Sequence, residues 1–202
     1  FRLGDLIQRD GSKLDRTVDR MEHFREARDW FQKAAAQNHP DATRELARYT
    51  DEGVAGERDP VKATDLYFEA ARAGSVVAMN EIGVRYQRGL GMRQDNVAAV
   101  GWFTLASQHG LVSALTNLGN CYETANGVRQ DLDQAGRYYA AAAKKNYGPA
   151  QVLLGRMFED GRGTKQNHIY AYVNYARAAN AGTSGAAARG DKGKVKLSGA
   201  QV

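Results

Sequence analysis

One cysteine, Cys121, stands in 202 residues, so no internal disulfide can form and the redox compartment stays open. No run of 18 apolar residues occurs, which excludes a membrane-spanning helix. The chain opens on "FRLGDL" without Met, a charged n-region or an apolar h-region. That opening leads us to expect an excised fragment, with any targeting segment lying outside it.

Charge of one sign is also missing over most of the length. The net charge is +5, but residues 189–202 supply +3 of it through Arg189, Lys192, Lys194 and Lys196 against Asp191. The remainder mixes both signs, whereas a phosphate-binding protein concentrates Lys and Arg on one face. No nucleic-acid partner is expected, and the basic end reads as a solvated tail. The apolar share of 43% is ordinary. Much of it is alanine, so the core must come from close helix approach.

What the chain does contain is a sentence written repeatedly at a spacing of 36 residues. One small slot reads Ala27, Ala63, Ala99, Ala135, Ala171, and an aromatic slot reads Phe31, Tyr67, Phe103, Tyr139, Tyr175. A turn slot follows with Asn38, Gly74, Gly110, Asn146 and Gly182. The second half of each unit carries Ala42, Ala78, Ala114, Ala150, then Leu46, Ile82, Leu118, Leu154, each followed directly by Ala47, Gly83, Gly119 or Gly155. Asp59, Asp95, Asp131 and Asn167 close the loop before the next unit.

Apolar slots at offsets of three, four and seven mark amphipathic helices, so each unit is a pair of short helices. Gly or Asn in the turn slot can take positive φ and end a helix. The Asp/Asn slot can cap the helix that follows. Glycine in mid-helix at 83, 119 and 155 costs stability; its recurrence suggests that a neighbouring helix backbone needs the space. A lone pair cannot bury its apolar face but a stack can, which makes the fold all-α, an α-solenoid of antiparallel pairs. Right-handedness follows by analogy with other helical-pair repeats.

The ends depart from the pattern. Leu3, Gly4 and Ile7 fall in the Leu, Gly and Tyr slots of an earlier unit, and the loop from there to Ala27 holds seven extra residues. We expect the repeat array over 1–182 and a degenerate last unit with a basic Gly/Lys-rich tail over 183–202. Ser198 and Gln201 stand at capping-box spacing, the start of a further helix.

A search for chemistry finds little that converges. His23, His39, His109 and His168 sit in different slots, without metal-ligand spacing, and read as surface or turn residues. Cys121 reads as a small core residue beside the Tyr122 slot. "GLGMRQD" and "GRGTKQN" lack the Gly-Lys-Ser/Thr ending of a phosphate loop and follow no strand, so they are inter-helix turns. Adjacent carboxylates such as Glu159 and Asp160 diverge around a helix. The paired aromatics Trp30–Phe31, Trp102–Phe103 and Tyr138–Tyr139 recur at a core slot and read as packing. No catalytic residue, metal, cofactor or small-molecule substrate is expected.

With slots filled as Ala-x-x-Leu-Gly-x-x-Tyr-x-x-Gly-x-Gly, then Asp, then Ala-x-x-Trp-Phe-x-x-Ala-Ala, the chain resembles the Sel1-like repeat family, a relative of the tetratricopeptide repeat common in bacteria. The resemblance covers residues 1–182. It implies a non-enzymatic scaffold that presents a concave groove, lined by the Leu-Gly helices, to a partner protein or peptide. Carried onto this chain, the groove rows are Arg44, Asn80, Thr116, Val152; Arg48, Val84, Asn120, Arg156; Asp51, Gln87, Glu123, Glu159; and Glu52, Arg88, Thr124, Asp160. Arg44, Arg48 and Arg156 are the implied anchors, with Glu123 and Glu159 setting polarity. The alternative is the repeat region of a larger bacterial envelope protein that binds polysaccharide or regulates an associated enzyme. Polysaccharide binding would be favoured by exposed aromatics in the groove slots, which contain none. Family habit favours an exported or periplasmic location over a cytoplasmic one.

Overall fold

The computed structural model describes residues 17–189, with side chains from residue 20. The partial first unit at Leu3, Gly4 and Ile7, the capping box at Ser198 and Gln201, and most of the basic tail lie outside the described residues. Within them, all regular structure is helical. The chain divides into two compact units, residues 1–102 and 103–202.

The first unit contains α1 (Thr17–Ala35), α2 (Pro40–Glu52), α3 (Pro60–Arg72), α4 (Val76–Arg88) and the start of α5 (Asn96–Gln108). The second contains the rest of α5, then α6 (Val112–Thr124), α7 (Leu132–Lys144), α8 (Gly148–Asp160) and α9 (His168–Asn180). Helical backbone resumes at residues 186–189. The most extensive pairings join α2 to α3, α6 to α7 and α8 to α9. Each is a Leu-Gly helix followed by an aromatic helix, the antiparallel pair of an α-solenoid.

The local signals act as their chemistry dictates. Asp59 accepts from Lys62 N–H at 2.9 Å, Asp131 from Gln134 at 2.8 Å and Asn167 from Tyr170 at 3.0 Å, while Asp95 takes both Val97 and Ala98. All five turn-slot residues have positive φ, from 58° at Asn38 and Asn146 to 98° at Gly74. The Leu-Gly helices end the same way at Gly53, Gly89 and Gly161, and in the third copy at Ala125, which holds a φ of 60° without the freedom of glycine.

Alanine forms the spine of the core. Ala27, Ala63, Ala99 and Ala135 are fully buried, as are Ala42, Ala78, Ala114 and Ala150. Ala186 continues the second row and is fully buried too. The register therefore persists to residue 186. In the first unit Tyr49 sets its ring edge-on against Phe24 and Phe31, beside Ala27 and Leu46. In the second, Tyr139 and Met157 pack with Ala135 against Tyr122 and Leu154.

Three details differ from the sequence reading. Residues 17–23, expected in the lengthened loop, are helix. α1 starts at Thr17 where the register would start it at 24, because "TVDRMEHF" has no glycine or proline and continues the helix with Phe24 on the packed face. The mid-helix glycines at 119 and 155 face an aromatic ring, not a backbone. A Cβ on Gly119 would lie 2.5 Å from Tyr139 Cε1, and one on Gly155 2.9 Å from Tyr175 Cε1. Of the paired aromatics only the second is core: Phe31, Phe103 and Tyr139 are fully buried, whereas Trp30, Trp102 and Tyr138 are partly exposed.

Candidate functional site

The Leu-Gly helices place the residues assigned to the groove. On α2, Glu45 is a nearly buried carboxylate that holds two arginines. Its Oε1 meets Arg44 Nη1 at 2.7 Å, and its Oε2 meets Arg48 Nη2 at 2.9 Å and Nε at 3.0 Å. Arg48 also reaches Glu52 at 2.8 Å and lies over the Tyr49 ring. Burial would lower the Arg48 pKa, but the fields of Glu45 and Glu52 outweigh it and raise the value, so this guanidinium is firmly charged.

On α4, Asn80 is buried, Val84 and Gln87 are half-buried and Arg88 is exposed. The dominant feature there was not foreseen. Arg85 occupies a slot filled elsewhere by Tyr49, Cys121 and Met157, and is 2% exposed. Its guanidinium forks onto Asp51 with two contacts of 3.0 Å and donates to Thr64 Oγ1 at 2.7 Å and Pro60 O at 2.6 Å. Thr64 in turn lies within hydrogen-bond reach of Leu90 O. This one side chain ties α2, α3, α4 and the turn after α4 together. Beside it, burial pushes the Glu81 carboxyl up against the pull of Arg44, Arg85 and Arg88.

In the second unit the same motif recurs with different members. Glu123 on α6 is 4% exposed. Its Oε2 accepts the Tyr139 hydroxyl at 2.8 Å, and its Oε1 accepts Arg162 Nη1 at 2.8 Å and Arg156 Nη2 at 3.3 Å. The two arginine side chains remain 39% and 44% exposed. Neither makes a further polar contact among the described residues, so most of their N–H donors are left without a protein acceptor there. Glu123 therefore serves inside the fold, as does Glu159, whose Oε2 accepts the Tyr175 hydroxyl at 2.8 Å. Of the remaining groove positions, Thr116 is buried with its hydroxyl unpaired, while Asn120 and Val152 are half-buried.

Two regularities were readable in the sequence once known. An acid at 123 and 159 stands sixteen residues before a tyrosine whose hydroxyl it accepts, and where Phe103 has no hydroxyl the corresponding position is Gln87. Gln94, Gln130 and Gln166 each donate through Nε2 to the carbonyl seven residues back, at 2.8–2.9 Å, tying the loop to the end of the Leu-Gly helix; Arg58 does so with Nε. Arg162 was missed because its slot holds Val54, Leu90 and Asn126 elsewhere, with no common chemistry.

Cys121 is buried and its thiol is pushed up to about 11 by burial, which suits packing. Among the described residues no group of three or more His, Cys, Asp or Glu converges, and no helix is long and apolar enough to cross a membrane.

The family model for the Sel1 repeat matches residues 1–39, 40–75, 76–111, 112–147 and 148–183. Among solved structures, a Sel1 repeat protein from Oxalobacter formigenes is similar, with a TM-score of 0.76 and 28% identity over 80% of this chain and 64% of its own. So is c5321, a protective antigen present in uropathogenic Escherichia coli strains and displaying an SLR fold, with a TM-score of 0.73 and 28% identity over 89% of this chain and 38% of its own. The Pseudomonas aeruginosa 5086 protein has a TM-score of 0.64 and 25% identity, covering 91% of this chain and 68% of its own. This chain thus spans less than two thirds of the first two. No curated protein matches it.

Proposed function

This chain belongs to the Sel1 repeat family, helical repeat scaffolds that generally mediate protein interactions, and on that premise we propose that its Leu-Gly helices offer arginines to an acidic segment of a partner protein. The supporting observation is the arrangement around Glu123. A carboxylate sealed inside the fold holds one nitrogen of each of Arg156 and Arg162 and leaves both side chains partly exposed, at 39% and 44%. Ordering two long side chains in advance lowers the entropy lost on binding. The planar fork matches a carboxylate in two contacts, which a lysine does not. Arg44 and Arg48 form the comparable pair on Glu45, but Arg48 is already spent on Glu52 and the Tyr49 ring, which makes it the weaker anchor. Glu123 is a positioning residue in this reading, and Glu159 likewise works through Tyr175.

The test is a titration of a fluorescein-labelled peptide of alternating Glu and Ala with the full chain, followed by anisotropy. Saturable binding that weakens at least tenfold in Arg156→Gln/Arg162→Gln, but not in the charge-matched Lys144→Gln/Lys145→Gln, is the expected result. Equal weakening in both double variants would reduce the effect to net charge and overturn the assignment.

A further inference from the structure

Between α7 and α8 the second unit has a cleft of about 340 Å³. Its floor is Leu154, Met157 and Phe158, and the α7 wall is Gly136 and Ala140. Gly136 is the telling residue. Gly119 and Gly155 are forced to be glycine by a ring, but a Cβ on Gly136 would meet only the Met157 Cε at 3.5 Å and Sδ at 3.8 Å, ordinary contacts. A mid-helix glycine is unfavourable, and here packing gives nothing in return.

The first unit shows what belongs in such a space. Seventy-two residues earlier in the register, Gly136 corresponds to Thr64, Ala140 to Phe68 and Phe158 to Tyr86. The Phe68 ring stands edge-on to Tyr86 at 6.3 Å, and Thr64 is bonded into the Arg85 network. The second unit has both side chains cut back, so Phe158 meets the Tyr170 ring at 5.3 Å but has no ring on its α7 side. Asp133 and Arg137, one turn apart on α7, line the same cleft. Both are exposed, and neither has an ion pair or hydrogen bond among the described residues.

From the empty ring position and its two unpaired opposite charges, we infer that this cleft receives a phenylalanine-type aromatic side chain of a partner peptide, flanked by a basic residue facing Asp133 and an acidic residue facing Arg137. The ring takes the place beside Phe158 that Phe68 takes beside Tyr86, with edge-on aromatic contact and burial as its driving force. The flanking charges fix direction. The inference is independent of the arginine face, since none of its residues lines the cleft.

The probe is N-acetyl-phenylalaninamide, titrated into the full chain and followed by 1H–15N NMR, with N-acetyl-leucinamide as comparison. Expected are saturable shifts centred on Gly136, Ala140 and Gly163, at least threefold tighter for the aromatic probe. Of the capped tripeptides Lys-Phe-Glu and Glu-Phe-Lys, one should bind tighter than N-acetyl-phenylalaninamide and the other should not. Ala140→Phe, which supplies the ring internally, should remove the binding at least tenfold while the chain keeps its helicity. If that variant fails to fold, Gly136→Thr carries the same test. Equal affinity for both probes, shifts elsewhere, or undiminished binding by a folded filled variant would overturn the inference. So would a dimer in sedimentation that Ala140→Phe turns into monomer, because the occupant would then be a second copy.

Discussion

Glycine has two opposite meanings in this chain, and the residue scale separates them. At Gly119 the Tyr139 ring occupies the position of a Cβ, so Gly119→Ala forces the ring or the helix to move. Overpacking of this kind costs about 1–3 kcal/mol, offset by about 1 kcal/mol of helix propensity. A net loss of up to about 2 kcal/mol in urea unfolding is expected. Gly101 on α5 is exposed with nothing near the site of a Cβ, so Gly101→Ala should gain about 0.5–1 kcal/mol in the same assay. Opposite signs for two glycines in helix interiors check the packing account directly. The small slot was legible in the sequence because it recurs. What it faces was not, because a repeat shows which positions are constrained without showing which rotamer fills the space.

At the scale of elements, the ties that fix one helix pair on the next are partly visible and partly hidden. Caps and turn residues act within a few positions of themselves, so their chemistry reads straight off the chain. The Arg85–Asp51 fork joins residues from different slots, and Arg162 reaches Glu123 from a slot with no common character. Periodicity cannot reveal contacts of that kind. The helical extension of α1 was hidden for a different reason, since an insertion breaks register and only propensity can say whether it is helix or loop. The buried fork carries a sharp expectation. Arg85→Met leaves Asp51 without its guanidinium partner, and Asp51→Ala leaves a buried guanidinium without its counter-charge. Each should cost about 2–4 kcal/mol, with the double variant costing less than the sum. Additive losses in the double-mutant cycle would mean that the pair is not coupled.

Taken whole, the molecule hides phenols beside carboxylates. Burial first, and then hydrogen bonds to Glu123 and Glu159, raise the phenol pKa of Tyr139 and Tyr175, the latter to about 12; burial raises Tyr67 as well. The folded state therefore holds these protons more tightly than the unfolded chain, whose tyrosines ionise near 10.0. Their contribution is complete below that value and is lost as pH rises through it towards the folded values. The urea midpoint should fall steadily from pH 10 to 12, with tyrosinate absorbance rising as the fold is lost. A flat midpoint over that range would contradict the buried Tyr–Glu pairs.

The proposed role of Arg156 and Arg162, both held by the buried Glu123, is to bind a partner protein. Its most direct test is affinity capture from extract of the source cells, followed by mass spectrometry, with the full chain beside Arg156→Gln/Arg162→Gln and Lys144→Gln/Lys145→Gln as baits. The claim predicts a protein with an acidic segment that is retained by the first and third baits and lost from the second, at unchanged helicity. A partner retained equally by all three would contradict it.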